Sequence, residues 1–256
     1  HPMLIPSNPH ECFTMAVEAF DLAERLQTPV FLLSDLDIGM NDWMVPEFEW
    51  DDSYRPDRGK LLGPKELAKM ERFVRYLDVD GDGIPYRTLP GEDPKGAYFT
   101  RGSGHNRYGG YTEDSDEYQD VIDRLLVKWE TAKTLVPDAV LSEAKEATRL
   151  GILAYGSSDG AVTEARDRLE EQGIHADYLR IRAFPFTPEV LEFLRSHDTN
   201  FVVEQNRDAQ MKSLLMLEAN DIADRLVSVL HYNGLPIPSD CVVRGVTEHL
   251  KKEAAA

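Results

Sequence analysis

Ile152-Leu153-Ala154-Tyr155-Gly156-Ser157-Ser158-Asp159-Gly160 is the stretch that decides the fold. A continuous apolar run stops at a small, polar, glycine-bounded turn. Ala161 to Gln172 then predict a helix, with Gly173 placed to end it as a C-cap. The same order recurs downstream. Ala176 to Arg182 predict a strand and Thr187-Pro188 a helix start. Phe201-Val202-Val203 predict a strand and Asp208 to Ala219 a helix. Leu226 to Leu230 predict a strand, and residues 239–252 a last helix. Strands that alternate with helices argue for an α/β unit with a parallel sheet, beginning near Leu150.

Toward the start of the chain, Met3-Leu4-Ile5 reads as a strand. Asn8-Pro9-His10-Glu11 reads as a helix start, with Asn at the N-cap, Pro in the first turn and Glu behind it. Phe13, Val17 and Phe20 line one side of this helix, and Met15, Leu22 and Leu26 another. Pro29 to Leu33 follow as an apolar strand of the kind buried on both faces of a parallel sheet. This β-α-β run ends at Ser34-Asp35. Because the chain opens within a strand, with no initiator Met or polar leader, it is expected to be a piece of a longer polypeptide.

Residues 35–57 change character. Asp35, Asp37, Asp42, Glu47, Glu49, Asp51, Asp52 and Asp57 face a single base, Arg55. Met40, Trp43, Met44, Phe48, Trp50 and Tyr54 are interleaved with them. A solvated linker seldom carries so many large apolar groups, so an extended arm that docks on another domain or subunit is expected. Pro64 predicts a helix with Leu67, Met70, Phe73, Val74 and Leu77 on its inner side. Residues 78–111 are rich in Gly, Pro and Asp without periodicity, and residues 114–134 return to helix.

The 256 residues carry a net charge of −18, with 42% hydrophobic and 29% charged residues. That is a globular composition, with no basic face for nucleic acid. No apolar run approaches the roughly 18–20 residues of a membrane span. The two cysteines, Cys12 and Cys241, form no CxxC pair, which argues against a disulfide scaffold or a cysteine-held metal and fits a cytoplasmic compartment.

Among local motifs, Asp78-Val79-Asp80-Gly81-Asp82-Gly83-Ile84 is the sharpest. Asp78, Asp80 and Asp82 stand at positions 1, 3 and 5 of a calcium-type loop with Gly83 at position 6, so Ca²⁺ or Mg²⁺ is a candidate ligand there. Leu89 replaces the closing acid and Pro85 interrupts the loop; the competing reading is a pair of Asp-Gly turns. Gly81-Asp82-Gly83 with Asn106 also mimics a thiamine-diphosphate motif, but neither an apolar strand before it nor a helix after it is present. Gly102-Ser103-Gly104-His105-Asn106 is a glycine-rich loop without a P-loop Lys. His105 there is a candidate acid or base, or a structural loop histidine. Gly156–Gly160 offers backbone N–H groups to an anion, and Glu204-Gln205-Asn206-Arg207 falls where open α/β sheets bind ligands.

The order of short motifs says more than any one of them. His1-Pro2-Met3, Ile5-Pro6-Ser7-Asn8-Pro9-His10-Glu11-Cys12-Phe13 and Pro29-Val30-Phe31-Leu32-Leu33-Ser34-Asp35 precede Gly83-Ile84-Pro85-Tyr86-Arg87-Thr88-Leu89-Pro90-Gly91 and Gly104-His105-Asn106 with Gly109. Tyr155-Gly156-Ser157, Val202-Val203-Glu204-Gln205-Asn206 and Asn233-Gly234-Leu235-Pro236 complete the series. In this order they resemble the alpha subunit of 2-oxoacid:ferredoxin oxidoreductases, especially the 2-oxoglutarate type, across essentially the whole chain. One departure is Arg101-Gly102-Ser103-Gly104-His105, where many relatives carry Thr-Gly-x-Glu-His, so an acid beside His105 is missing.

The resemblance implies an α/β fold: a partial pyrimidine-type thiamine-diphosphate domain plus a transketolase C-terminal-like parallel-sheet domain. Residues 1–35 are then the tail of the pyrimidine-binding domain. Residues 36–145 hold the acidic aromatic arm, a helix, the Gly/Pro-rich loop and a second helix. Residues 146–256 are the transketolase C-terminal-like domain. It implies CoA-dependent oxidative decarboxylation of a 2-oxoacid with electrons passed to ferredoxin. Thiamine diphosphate, Mg²⁺ and a 4Fe–4S cluster are held mainly by a beta subunit. The family's substrate-binding Tyr-Pro-Ile-Thr-Pro stretch and substrate arginine have no counterpart here, so no catalytic or cofactor-binding residue is carried over. The chain alone is expected to be inactive. The alternatives are a transketolase or 2-oxoacid dehydrogenase-type thiamine enzyme subunit, and a non-enzymatic α/β interaction module.

Overall fold

The computed structural model describes residues 1–102 and 104–255. In chain order the elements are β1 (Met3–Leu4), α1 (Pro9–Leu26), β2 (Phe31–Leu32), α2 (Leu36–Met40), α3 (Pro64–Leu67) and α4 (Ser115–Lys133). Then follow β3 (Val140–Ser142), β4 (Leu150–Ala154), α5 (Ser158–Glu170), β5 (Asp177–Arg180), β6 (Ala183–Phe184) and α6 (Pro188–Ser196). The chain ends with β7 (Thr199–Glu204), α7 (Gln210–Glu218), β8 (Leu226–Leu230) and α8 (Ser239–Glu253). Two compact units form. One takes His1–Pro2, Val17–Val30 and Trp50–Leu135; the other takes Met3–Ala16, Phe31–Glu49 and everything from Val136 onward.

The second unit is built on a five-stranded sheet of order β3-β5-β4-β7-β8, in which β5, β4, β7 and β8 run parallel and β3 pairs antiparallel with β5. Side-chain alternation along the central strands feeds two cores. Leu153 of β4 and Val202 of β7 meet Val190, Phe193 and Leu194 of α6 and Met211 and Leu215 of α7. Ile152, Ala154, Phe201 and Val203 meet Val162, Ala165 and Leu169 of α5 and Val242 and Val246 of α8. Helices thus cover both faces, and all six residues of β7 are buried. This is the α/β parallel-sheet architecture read from the 152–230 run.

A smaller three-stranded sheet of order β2-β1-β6 lies in the same unit, with β1 and β2 parallel as the β-α-β reading requires. Its strands are two residues long. Phe31 of β2 is 50% exposed and Leu33 43%, so the expectation that Pro29 to Leu33 are buried on both faces does not hold; β2 is an edge strand. The start of α1 does form as read. Glu11 N–H donates to Asn8 Oδ1 at 2.9 Å, and the Glu11 carboxylate accepts from Ser7 N–H at 2.9 Å.

In the first unit the helix expected from Pro64 through Leu77 ends at Leu67. Tertiary contacts replace its continuation: Phe73 packs on Tyr98, Tyr76 packs on His105, and Tyr76 N–H donates to Arg107 O at 2.9 Å. No helix among the described residues is long and apolar enough to cross a membrane.

Candidate functional site

Strand β4 sends its chain through α5 toward β5 on one side, and β7 sends its chain through α7 toward β8 on the other. Their carboxyl ends diverge, and the crevice between such ends is where open α/β sheets bind ligands. A cavity of about 510 Å³ lies here, its wall including Asp35, Asp37, Ser157, Gln205, Asn206 and His231. The two stretches singled out in the sequence, Gly156–Gly160 and Glu204–Asn206, meet at this place. Gln205 Nε2 donates to Ser157 Oγ at 3.0 Å and to Ser158 Oγ at 3.2 Å. Arg207 turns aside and pairs with Asp208.

Glu204 anchors the wall from below. It is fully buried, and its carboxylate accepts from the N–H groups of Met211 (2.8 Å) and Lys212 (3.0 Å), from Asn206 Nδ2 (2.8 Å) and from Tyr155 O–H (3.3 Å). A buried carboxylate is tolerated only when its lone pairs are met this way, and the first turn of α7 supplies two of the donors. Burial, and then the Glu204 charge, push the Tyr155 phenol well above its ordinary pKa, so it stays a donor.

The anion expected at Gly156–Gly160 is supplied by the chain itself. Asp35 Oδ2 accepts from Ser157 N–H at 3.0 Å, while its Oδ1 accepts from Ile38 N–H at 3.0 Å and caps α2. Gly156 makes the approach possible: its φ is +60°, and a Cβ there would stand 3.0 Å from Asp35 Oδ2. With Asp35 and Asp37 on the wall and no Lys or Arg among its described lining residues, the cavity disfavours phosphates and carboxylates. It suits a neutral or cationic hydrogen-bonding molecule.

The Asp78–Gly83 loop lies in the other unit. Ligand-type oxygens of Asp78, Asp80 and Asp82 come within 4.8 Å of one another. Lys60 Nζ stands among them, donating to Asp80 Oδ1 at 2.5 Å, Asp82 Oδ1 at 2.7 Å and Ile84 O at 3.0 Å. Burial opposes the ammonium charge, but the two aspartates outweigh it and raise the Lys60 pKa. Asp78 instead accepts N–H bonds from Asp80, Gly81 and Gly83. The loop then docks on α4: Arg124 Nη1 donates to Gly83 O and Thr131 Oγ1 to Asp82 O, each at 2.7 Å. Nothing local in the sequence announced Lys60, which lies 20 residues from Asp80.

His105 is held in its loop, its ring 4.3 Å from that of Tyr76 and its Nδ1 3.1 Å from Asn106 O. Ser103, in the same glycine-rich stretch, lies outside the described residues. In the acidic arm Leu36, Met40 and Met44 are 79%, 80% and 100% exposed, whereas Phe48 stacks against His10 and Phe13.

No family model matches the chain. It is 26% identical to the 2-oxoacid:ferredoxin oxidoreductase subunit alpha of Saccharolobus solfataricus, over 98% of this chain and 39% of that protein. It is 28% identical to a 2-oxoglutarate synthase subunit of Methanothermobacter thermautotrophicus, over 79% of this chain and 52% of that one. The chain thus spans about half or less of these relatives. Among solved structures, 2-oxoglutarate:ferredoxin oxidoreductase from Magnetococcus marinus, with 2-oxoglutarate, coenzyme A and succinyl-CoA bound, superposes with a TM-score of 0.82. That match has 20% identity and covers 97% of this chain and 42% of the other. Sequence likeness to the former, and a shared fold with the latter, relate this chain to the alpha subunits of 2-oxoacid:ferredoxin oxidoreductases.

Proposed function

We propose that this chain is part of the alpha subunit of a 2-oxoacid:ferredoxin oxidoreductase, and that the 2-oxoacid is 2-oxoglutarate. The reaction joins a 2-oxoacid to coenzyme A, releases CO₂ and passes two electrons to ferredoxin. The observation that carries the reading is sequence likeness running through 98% of the chain, both units included. Residues 1–35 are assigned to the tail of a pyrimidine-binding thiamine-diphosphate domain, 36–145 to the arm and loop region, and 146–256 to a transketolase C-terminal-like domain.

This chain's residues do not fit the cofactors of that reaction. Cys12 and Cys241 are two thiols, whereas a 4Fe–4S cluster takes four. Asp82, the one carboxylate in a diphosphate-like motif, is ion-paired to Lys60. Thiamine diphosphate, Mg²⁺ and the cluster are assigned mainly to a beta subunit, and no chemical step is assigned to a residue here. The exposed Leu36, Met40 and Met44 are assigned to contact with another domain or subunit, where burial of apolar surface contributes about 25 cal/mol per Å². The free thiols suit a cytoplasmic enzyme.

The test is reconstitution. The reading frame that contains this chain, expressed with its beta subunit, should reduce a viologen dye or ferredoxin only when 2-oxoglutarate and coenzyme A are both present. The 256-residue chain alone, given thiamine diphosphate, Mg²⁺ and coenzyme A, should give none. Dye reduction that proceeds without coenzyme A would favour another thiamine enzyme. A complex that forms with no 2-oxoacid turnover would favour an interaction module. Turnover by the isolated chain, abolished by Asp82→Ala, would place the diphosphate grip at Gly81–Gly83.

A further inference from the structure

In a chain of net charge −18, one cluster is positive. Arg124 and Lys128 stand four residues apart on α4, on one face of the helix, and Arg75 acts on both. Among the described residues none of the three makes an ion pair. The acids that act on Arg124 are otherwise engaged: Asp78 accepts three backbone N–H groups, and Asp120 pairs with Arg107. Arg75 lies over the rings of Tyr76 and Tyr98, at 4.9 and 5.5 Å. Its Nε and Nη1, and Nε of Arg124, are buried without a hydrogen-bond partner. Buried guanidinium N–H groups left unmet carry a cost, and an anion of suitable size would remove it.

Lys128 borders a small cavity of about 170 Å³ whose walls include Leu26, Leu125 and Trp129 and the polar His1 and Thr28. Its Nζ makes one hydrogen bond, to Leu26 O at 3.1 Å. Burial first, and then the charges of Arg124 and Arg75, press its pKa down to about 8. Near neutral pH an appreciable share of Lys128 is therefore the free amine. Lys60 and Lys145 are the reverse case, since neighbouring acids raise their pKa values and keep them ammonium.

We propose that Lys128 is a carbamate site: its ε-amine takes up CO₂, and the carboxylate so formed is held by the Arg124–Arg75 pair. The step is a simple addition. The Nζ lone pair forms a C–N bond to the carbon of CO₂, one C–O π pair moves onto oxygen, and the nitrogen gives a proton to water. Nothing is oxidised or reduced. An ammonium that two guanidiniums repel becomes an anion that both attract, which offsets the unmet N–H groups. The cavity beside the amine has room to admit CO₂. The reaction proposed above releases CO₂, but the carbamate needs only CO₂ from any source.

The test supplies the CO₂ directly, so its outcome is independent of the enzymatic reading. The full chain is equilibrated with bicarbonate near pH 8, treated with triethyloxonium to trap carbamates as ethyl esters, digested and read by mass spectrometry. A pKa gap of two units or more gives Lys128 roughly a hundredfold more free amine than an ordinary lysine. The ester should accordingly appear on Lys128 roughly tenfold or more above Lys60 and Lys145, and grow with bicarbonate. Arg124→Gln should cut it several-fold. No ester on Lys128, or equal labelling of Lys145, overturns the proposal in the unsubstituted chain, whatever the variant does. Undiminished labelling in a folded Arg124→Gln protein overturns the role given to the guanidiniums.

Discussion

Phe201, Val202 and Val203 of β7 are fully buried between two helix layers, and the sheet around them is held by a backbone ladder. Residues 78–84 are fixed in another way. One lysine, two side chains of α4 and the loop's own Asp78 hold them, and of the seven only Gly83 and Ile84 are buried. The first region rests on apolar area and tolerates polar change at its rim. The second rests on a few hydrogen bonds partly open to solvent, each worth about 0.5–1 kcal/mol, and fails one contact at a time. The candidate crevice belongs to the first region, where a rigid sheet edge can hold polar groups in place.

The contrast is broken most severely at the sheet. Phe201→Ala leaves a void between β7 and the α5–α8 layer and should cost about 3–5 kcal/mol, read as a lower urea midpoint with unchanged slope. A loss below about 1 kcal/mol would mean that the layers do not close on this ring. The next effect sits where α1 meets the strand bearing Arg180. Glu11 accepts from Arg180 at 2.6 and 2.9 Å and from Arg182 at 3.2 Å. Burial alone would raise its pKa, but these partners and Ser7 N–H hold it down to about 2. A depressed folded-state pKa means stability that is present above pH of about 4.5 and lost as pH falls toward 2. That loss amounts to about 3 kcal/mol. Acid titration of folding should show this loss, and Glu11→Gln should flatten it; an unchanged acid limb in the variant would remove the pair from the account.

These two sites also differ in how they read from sequence. Apolar runs bounded by Gly and Pro placed the central strands and their helices, because burial on both faces leaves a local signature. The short edge strands β3 and β6 carry no such signature and were missed. So was Arg180 as the partner of Glu11, 169 residues away, and Lys60 as the partner of Asp80. Polar pairing across the chain depends on topology, which no window of residues contains. Gly156–Gly160 and Glu204–Asn206 were legible as candidates one by one, while their meeting at a single crevice, with Asp35 as the built-in anion, was not. The helix expected over 64–77 failed for the complementary reason: its apolar spacing was real, but Phe73 and Tyr76 serve aromatic contacts with the 98–108 loop.

A smaller effect tests the loop region at its tightest point. Gly83 has φ of +76°, and a Cβ there would stand 2.3 Å from Lys128 N and 2.7 Å from Arg124 O. Backbone atoms cannot give way as a flexible side chain does. Gly83→Ala should cost about 1–3 kcal/mol and should speed hydrogen exchange in residues 78–84 and 124–131, leaving β4 and β7 protected. Exchange that rises equally in the sheet would show that the two regions do not fail separately.

The smallest change concerns the cation of the Asp78–Gly83 loop. Three carboxylates in five residues repel one another unless positive charge offsets them, and Lys60 supplies it through two aspartates. A Ca²⁺ or Mg²⁺ ion bound by Asp78, Asp80 and Asp82 has to displace that ammonium and also draw Asp78 away from three backbone N–H groups. In the unsubstituted chain, millimolar metal should therefore move the melting temperature little. Lys60→Met removes the resident charge at a cost of about 1 kcal/mol, the scale of a partly exposed ion pair. It also leaves Asp80 and Asp82 facing each other unscreened, so this variant should gain a metal-dependent rise in melting temperature, and adding Asp80→Ala should erase it. A rise in the unsubstituted chain as large as in Lys60→Met would show that the loop takes its metal beside the lysine. No rise in either would show that the loop's shape, fixed by Asp78 and α4, is closed to an ion whatever its charge.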